Sequence, residues 1–297
     1  MTVNQVSAAG VGRLVFALLC VGVTGPAFWG GVLAQSQPKP PVVKDVRVYV
    51  FDCGVSKMPP AAVKQALGFD PDKIANTLDF AMPCFLIAHP KGTLMWDTGA
   101  VPDEAVGKPS GNFEVTKTLT SQLAAIGYAP KDITYLALSH YHADHTGNAN
   151  LFAGSTWLTP KAERDWMFAD KPQGFINPAH YSMLRNSKTI VLDKDEHDVF
   201  GDGTVTLKAA PGHTPASQVL LVRLRKTGPL MLSGDLYHYN EERTLGWVPI
   251  PLEFNAEQSK ASRVTIEAYT KKMKAQLWIG HDLPLHNTLK ISPAYYD

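Results

Sequence analysis

The chain has no excess of charge, no internal repeat and very little cysteine. Its net charge is +1 and no basic run stands out, so nothing points to a nucleic-acid partner. The cluster Asp193-Lys194-Asp195-Glu196-His197-Asp198 mixes signs and reads as a solvated loop. The lack of a short-period repeat sets solenoids and propellers aside. Of the three cysteines, only Cys53 and Cys84 lie beyond the N-terminal leader described below. In an oxidising compartment they would pair; otherwise they are two small buried hydrophobes, and both readings stay open. With 45% hydrophobic residues among 297, the chain has enough apolar material for a sizeable core.

What is present begins with a leader. Arg13 precedes the apolar stretch Leu14 to Val23, and a second stretch ends at Val32-Leu33-Ala34 before the polar Gln35-Ser36-Gln37. This is the pattern of a secretory signal with a small residue at the cleavage site. Leu18 and Leu19 are too large for the positions before a lipidated Cys20. An uncleaved anchor over Leu14 to Ala34 competes, with Gly25, Pro26, Gly30 and Gly31 against a continuous helix. The expected organisation is a signal peptide over 1–34, an extended proline-rich linker over 35–45 and one domain over 46–297. The mature chain is expected in the periplasm, with no stable membrane insertion.

The most informative stretch is Ser139-His140-Tyr141-His142-Ala143-Asp144-His145-Thr146-Gly147. It follows Ile133 to Leu138, an apolar run that reads as a buried strand. His140 and His142 are two apart, so on extended backbone both leave the same face. Imidazole and carboxylate are the ligands that zinc and similar divalent ions prefer. Three more places put a potential ligand just after an apolar run: Gly212-His213-Thr214, Ser233-Gly234-Asp235 and Gly280-His281-Asp282. In α/β folds such positions collect functional groups.

The order H-x-H-x-D-H, G-H-T, S-G-D, G-H-D resembles the metallo-β-lactamase superfamily and, more narrowly, the N-acyl homoserine lactonases. The phrase from His89 to Gly99 adds to the likeness, which runs from about Val46 to His286. The resemblance implies an α/β fold, an αββα four-layer sandwich of two mixed sheets with outer helices and metals at one edge. It implies two divalent ions, zinc by preference. His140, His142 and His213 would hold the first ion, Asp144, His145 and His281 the second, and Asp235 would bridge. Asp97 would buttress the ligand loop, with a plain strand-ending turn as the competing reading. The implied reaction is opening of a small lactone, N-acyl homoserine lactone or a relative, by a hydroxide bridging the two ions. Asp144 would shuttle the proton to the leaving oxygen.

The family's tyrosine three residues after the bridging aspartate contacts the substrate carbonyl; here that position holds His238, flanked by Tyr237 and Tyr239. This departure leaves the role open, and Tyr237 is taken as the candidate. A β-lactamase is disfavoured by Asp235. A glyoxalase-II-like thioesterase would append a helical substrate domain, whereas 16 residues follow His281. A non-catalytic relative would have lost ligands.

Elsewhere strands are expected over 46–51, 84–88, 93–96, 219–224 and 229–232, with a hairpin turn at Pro90-Lys91-Gly92. Helices are expected over 115–126, 160–168, 178–185 and 257–273, the last burying Ala261, Val264, Ala268 and Tyr269. The substrate pocket is expected to draw on Met58 to Met82, Trp247 and Phe254. His89, His180, His197 and His286 have no expected part in the site.

Overall fold

The structure is a computed structural model that describes residues 39–172 and 174–297. The expected signal peptide, its alternative as an anchor, and the first part of the linker lie outside the described residues. Within the described residues no helix is long and apolar enough to cross a membrane. The described end of the linker is docked: Val43 is buried and the Tyr128 hydroxyl donates to the Pro41 carbonyl at 3.2 Å.

Seven strands form the first sheet: β1 (Arg47–Ser56), β2 (Phe80–His89), β3 (Gly92–Trp96), β4 (Phe113–Glu114), β5 (Tyr135–Ala137), β6 (Thr156–Pro160) and β7 (Thr189–Leu192). Their order is β4-β1-β2-β3-β5-β6-β7. The β1–β2–β3 part is antiparallel and the β3–β5–β6–β7 part parallel, so the sheet is mixed. The second sheet holds β8 (Glu196–Asp198), β9 (Val205–Ala209), β10 (Gln218–Leu224), β11 (Gly228–Leu232) and β12 (Gln276–Trp278), in the order β12-β11-β10-β9-β8. Only its β11–β12 pair is parallel.

Side-chain alternation explains the layers. On β1, Val48 and Val50 join Ile87, Trp96, Leu207, Leu220 and Leu232 in the core between the sheets. Their neighbours Tyr49 and Phe51 face the other way, into a core shared with α1 (Pro60–Leu67) and α2 (Leu119–Ala125). Two helices follow β5 and β6: the single turn α3 (Ala143–Thr146) and α4 (Lys161–Met167). Beyond the second sheet comes α6 (Ala256–Met273), while α5 (Asn240–Leu245) precedes it in the chain and the short α7 (Leu283–His286) follows β12 and lies against β2. Ile266 and Tyr269 of α6 pack on Val219, Leu221 and Met231. The result is the expected αββα sandwich.

Sequence expectations are corrected at three helices, and the expected solvated loop over 193–198 carries strand β8 at Glu196–Asp198, paired with β9. The helix expected over 115–126 starts only at Leu119, because Thr118 caps it by accepting the Ser121 N–H at 3.1 Å. Residues 178–185 form two short 3₁₀ turns, Pro178–His180 and Ser182–Asn186. On α6, Ala261, Val264 and Ala268 are exposed, and only Tyr269 of the expected face is buried. The buried face carries Ser259, Ser262, Arg263, Ile266 and Thr270 instead. Apolar spacing misled there because the face meets a polar network that needs Arg263.

Candidate metal centre

Each ligand candidate leaves the end of a strand on one edge of the sandwich. His140 and His142 follow β5, and Asp144 and His145 ride on α3. Asp235 follows β11 and His281 follows β12. His213 stands in the loop between β9 and β10. Gly212 lets that loop lie against α6: its φ is +137°, and a Cβ there would come within 2.3 Å of the Ser259 backbone nitrogen.

The seven side chains converge as two sets sharing one member. His140, His142, His213 and Asp235 form the first set, and Asp144, His145, Asp235 and His281 the second. Within each set the ligand atoms lie within 4.8 Å of one another. His142 Nδ1 faces His140 Nε2 at 2.9 Å and His213 Nε2 at 3.0 Å. Asp235 Oδ2 is 3.2 Å from His281 Nε2, and its Oδ1 is 3.1 Å from His145 Nε2. Asp144 Oδ2 is 3.4 Å from His281 Nε2.

These donors fit metal ions better than they fit one another. Three ring nitrogens meeting at about one point cannot all be satisfied by shared protons, whereas converging lone pairs are what a divalent ion takes. Asp144 Oδ1 is buried without a hydrogen-bond partner, and Asp235 Oδ1 and His145 Nε2, 3.1 Å apart, have no well-aligned one. The charge balance has the same character. Burial, then the neighbouring imidazoles, push His140 and His142 well below the ordinary histidine value, favouring the neutral ring that binds metal. Asp235 is buried too, yet His281, His145 and His140 hold its carboxyl well below the usual range. His145 is buried as well, but Asp235, Asp144 and Asp97 outweigh that and raise it.

Support comes from behind the ligands. Asp97 accepts the Ser139 N–H at 2.7 Å and stands 3.1 Å from His145 Nδ1, so it orients that ring and pins the ligand loop. It does so from the left-handed region, at φ 55°, a backbone cost that a mere turn would not need at a buried aspartate. The His281 Nδ1–H donates to the Ala81 carbonyl at 2.8 Å, turning Nε2 toward the centre. Cys53 and Cys84 form a disulfide between β1 and β2, which resolves the open pairing. Gly99, at φ +74°, passes against it where a Cβ would sit 2.9 Å from Cys53 Cβ.

A cavity of about 290 Å³ opens from the centre. His142, Asp144, His213, Asp235 and His281 form its polar end, and Met58, Ala66, Met82, Phe113, Phe175 and Leu252 its apolar walls. The expected contribution of the 58–82 segment is present. Trp247 and Phe254 are not in the wall: Trp247 packs on Phe69 at 4.9 Å and Phe254 on Trp166 at 5.4 Å.

Tyr237 does not reach this cavity either. Its hydroxyl donates to Glu267 Oε1 at 3.2 Å and its ring lies under Arg263 at 4.5 Å, in a separate surface hollow. His238 faces the cavity in its place. Its Nδ1 is 3.1 Å from Glu242 Oε1, which also accepts the N–H groups of His238 and Tyr239. Arg263 donates to the other Glu242 oxygen at 2.7 Å. Burial disfavours the charged His238 ring, but Glu242 and Asp235 prevail and lift it to about 10. Glu242 and Arg263 carried no sequence signal beyond being charged residues in helices. His89 is stacked on Phe200 at 4.1 Å, away from the centre.

A two-sheet sandwich with a pair of histidine–aspartate sets on one edge, joined by a shared carboxylate, defines a class of binuclear metal proteins. Residues 80–273 match the family model described as the metallo-beta-lactamase superfamily, and the chain belongs to that superfamily. It is similar to the N-acyl homoserine lactonase AttM of Azorhizobium caulinodans, 29% identical over 272 residues, which span 85% of this chain and 99% of that protein. An N-acyl homoserine lactonase of a Bacillus species is 29% identical over 230 residues, 73% of this chain and 88% of that protein. Among solved structures, a quorum-quenching N-acyl homoserine lactone lactonase superposes with a TM-score of 0.70 at 22% identity, over 85% of this chain and 99% of that one. AidC, a dizinc quorum-quenching lactonase solved with its product, gives a TM-score of 0.60 at 20% identity, over 86% of this chain and 95% of that one.

Proposed function

We propose that the chain is an exported, zinc-dependent lactonase that opens the ring of N-acyl homoserine lactones. The observation that carries this reading is the cavity. Its polar end is the shared-carboxylate centre, and its apolar length suits an acyl chain. The similarity to N-acyl homoserine lactonases over nearly their full length supports the same substrate class.

Lactone opening adds water across the ring C–O bond. The carbonyl carbon gains a hydroxyl, the ring oxygen leaves and takes a proton, and a carboxylic acid and an alcohol result, the acid then releasing its proton to solvent. Bound metal ions supply Lewis acidity and a nucleophile at neutral pH. The first set, with Asp235, would hold one ion and the second set the other. Asp144 lines the cavity at the second set and keeps one buried oxygen free of hydrogen bonds, so it is placed to hold a proton and pass it to the leaving oxygen. His238, fixed by Glu242, is the wall residue placed to meet a carbonyl oxygen.

Export rests on the leader composition and on the Cys53–Cys84 bridge, which suits an oxidising compartment such as the periplasm. N-terminal analysis of protein recovered from the cell envelope tests it: cleavage after Ala34 leaves Gln35 first, whereas an intact Met1 in the membrane fraction means an anchor.

Zinc-loaded protein assayed with N-acyl homoserine lactones of graded chain length, a β-lactam and a thioester tests the activity. Turnover of the lactones, with acid release matching substrate loss in a pH-indicator assay, is the expected result. A metal-replete protein inert to every lactone but active on the β-lactam or thioester overturns the reading.

A further inference from the structure

The apolar length of the cavity is interrupted at one place. Apart from the ligands and His238, the polar residues lining it among the described residues are Ser56 and Asn112. Ser56 ends β1, where it stands opposite Phe80 of β2 on one side and Phe113 of β4 on the other. Directly opposed residues put their side chains on the same face of a sheet. Phe80, Ser56 and Phe113 therefore form one row across three strands, and all three line the cavity. The row starts at the metal centre, because the Phe80 ring stacks on the His281 ring at 4.7 Å. Strand spacing puts Ser56 about 5 Å farther out.

The hydroxyl of Ser56 is set up as a donor. Asn112 Nδ2 donates to Ser56 Oγ at 2.6 Å and to the Lys57 carbonyl at 3.1 Å. The Lys57 N–H in turn donates to the Asn112 carbonyl at 2.8 Å, so the asparagine is anchored at both ends of its own residue. Ser56 is 3% exposed, and its oxygen already accepts one hydrogen bond, yet its own hydrogen has no acceptor among the described residues. A donor left this way beside apolar walls costs free energy that a ligand oxygen would return.

We propose that Ser56, held by Asn112, is a specificity-determining residue: its hydroxyl donates to the amide carbonyl of an N-acyl side chain. That amide is the first acceptor group a substrate carries beyond its lactone ring, and Ser56 is the first donor of the wall beyond the Phe80 ring. The pocket thereby favours acylamino lactones over lactones with a plain alkyl chain, which would leave the hydroxyl buried and unpaired. The proposal rests on the lactonase reading above.

The test compares zinc-loaded wild type, Ser56→Ala and Asn112→Ala on two substrates with the same ring: an N-acyl homoserine lactone and an α-alkyl-γ-butyrolactone of matched chain length, which has no amide. Ser56→Ala should raise KM for the acylamino lactone roughly 3–10-fold, the worth of one neutral hydrogen bond, with kcat little changed. KM for the alkyl lactone should stay at the wild-type value. Calorimetry with the ring-opened product, N-acyl homoserine, should show the same loss of affinity. Asn112→Ala frees the Ser56 oxygen from its anchor and should shift the acylamino lactone in the same direction by less; should Ser56→Ala fail to fold, this variant at an exposed position decides. Equal loss on both lactones, the mark of a purely structural role, or unchanged KM and product affinity overturns the proposal while leaving the lactonase reading intact. A wild type inert toward both lactones sinks that reading and the proposal with it.

Discussion

The two ligand sets share Asp235 but are built from opposite materials. The first is three imidazoles with the shared carboxylate as its only charged ligand, and Glu253 stands 3.7 Å behind His213 Nδ1. The second has two imidazoles and a carboxylate of its own, Asp144, with Asp97 close behind. Charge attraction therefore favours a cation more strongly at the second set, since unit charges a few ångströms apart interact by about 4 kcal/mol even at an effective dielectric of 20. The first set depends instead on geometry, on imidazoles brought together from distant segments. A chelator should strip its ion first. An ion held by neutral rings would keep more of its own charge for polarising a substrate oxygen.

The largest effect is expected from removing what the two sets share. Asp235→Ala deletes a donor from both, and metal assistance is worth several kcal/mol. Turnover should fall by about 10⁴-fold at 1.36 kcal/mol per tenfold, with fewer than two ions retained by elemental analysis. Asp144→Asn separates coordination from proton transfer: the amide oxygen can still coordinate, but the side chain cannot accept and return a proton. Turnover in a pH-indicator assay should drop roughly 10²–10⁴-fold while both ions remain; a fully loaded variant with wild-type turnover would remove the shuttle role.

Asp97→Asn loosens His145 from behind, so affinity at the second set should fall roughly 10–100-fold with the first set spared, as read by zinc titration of chelator-stripped protein against a colorimetric competitor. The smallest effect belongs to Tyr237→Phe. It removes one hydrogen bond to a partly exposed Glu267, worth about 1 kcal/mol of unfolding free energy, and steady-state kinetics should be unchanged. A large loss of turnover would return Tyr237 to the site.

How much of this was legible depended on how locally the information was written. The segment from His140 to His145 puts four donors within six residues after an apolar run, and the strand-ending Asp235 and His281 repeat one pattern. Asp97 was ambiguous because a buttress and a turn residue look alike until its two carboxylate contacts are seen. Tyr237 and His238 are neighbours, and which one faces the cavity depends on the turn after β11 and on Glu242, features with no periodicity to read. The same limit explains α6, where Val264 is 72% exposed and Arg263 is buried because its partners, Glu242 and the Trp247 carbonyl, come from another segment.

Elemental analysis of desalted, fully active protein decides whether this edge of the sandwich holds two ions that share Asp235. Two equivalents of divalent metal per chain are expected, with activity lost as the first equivalent is chelated. Full activity with one equivalent or less would refute a two-ion centre.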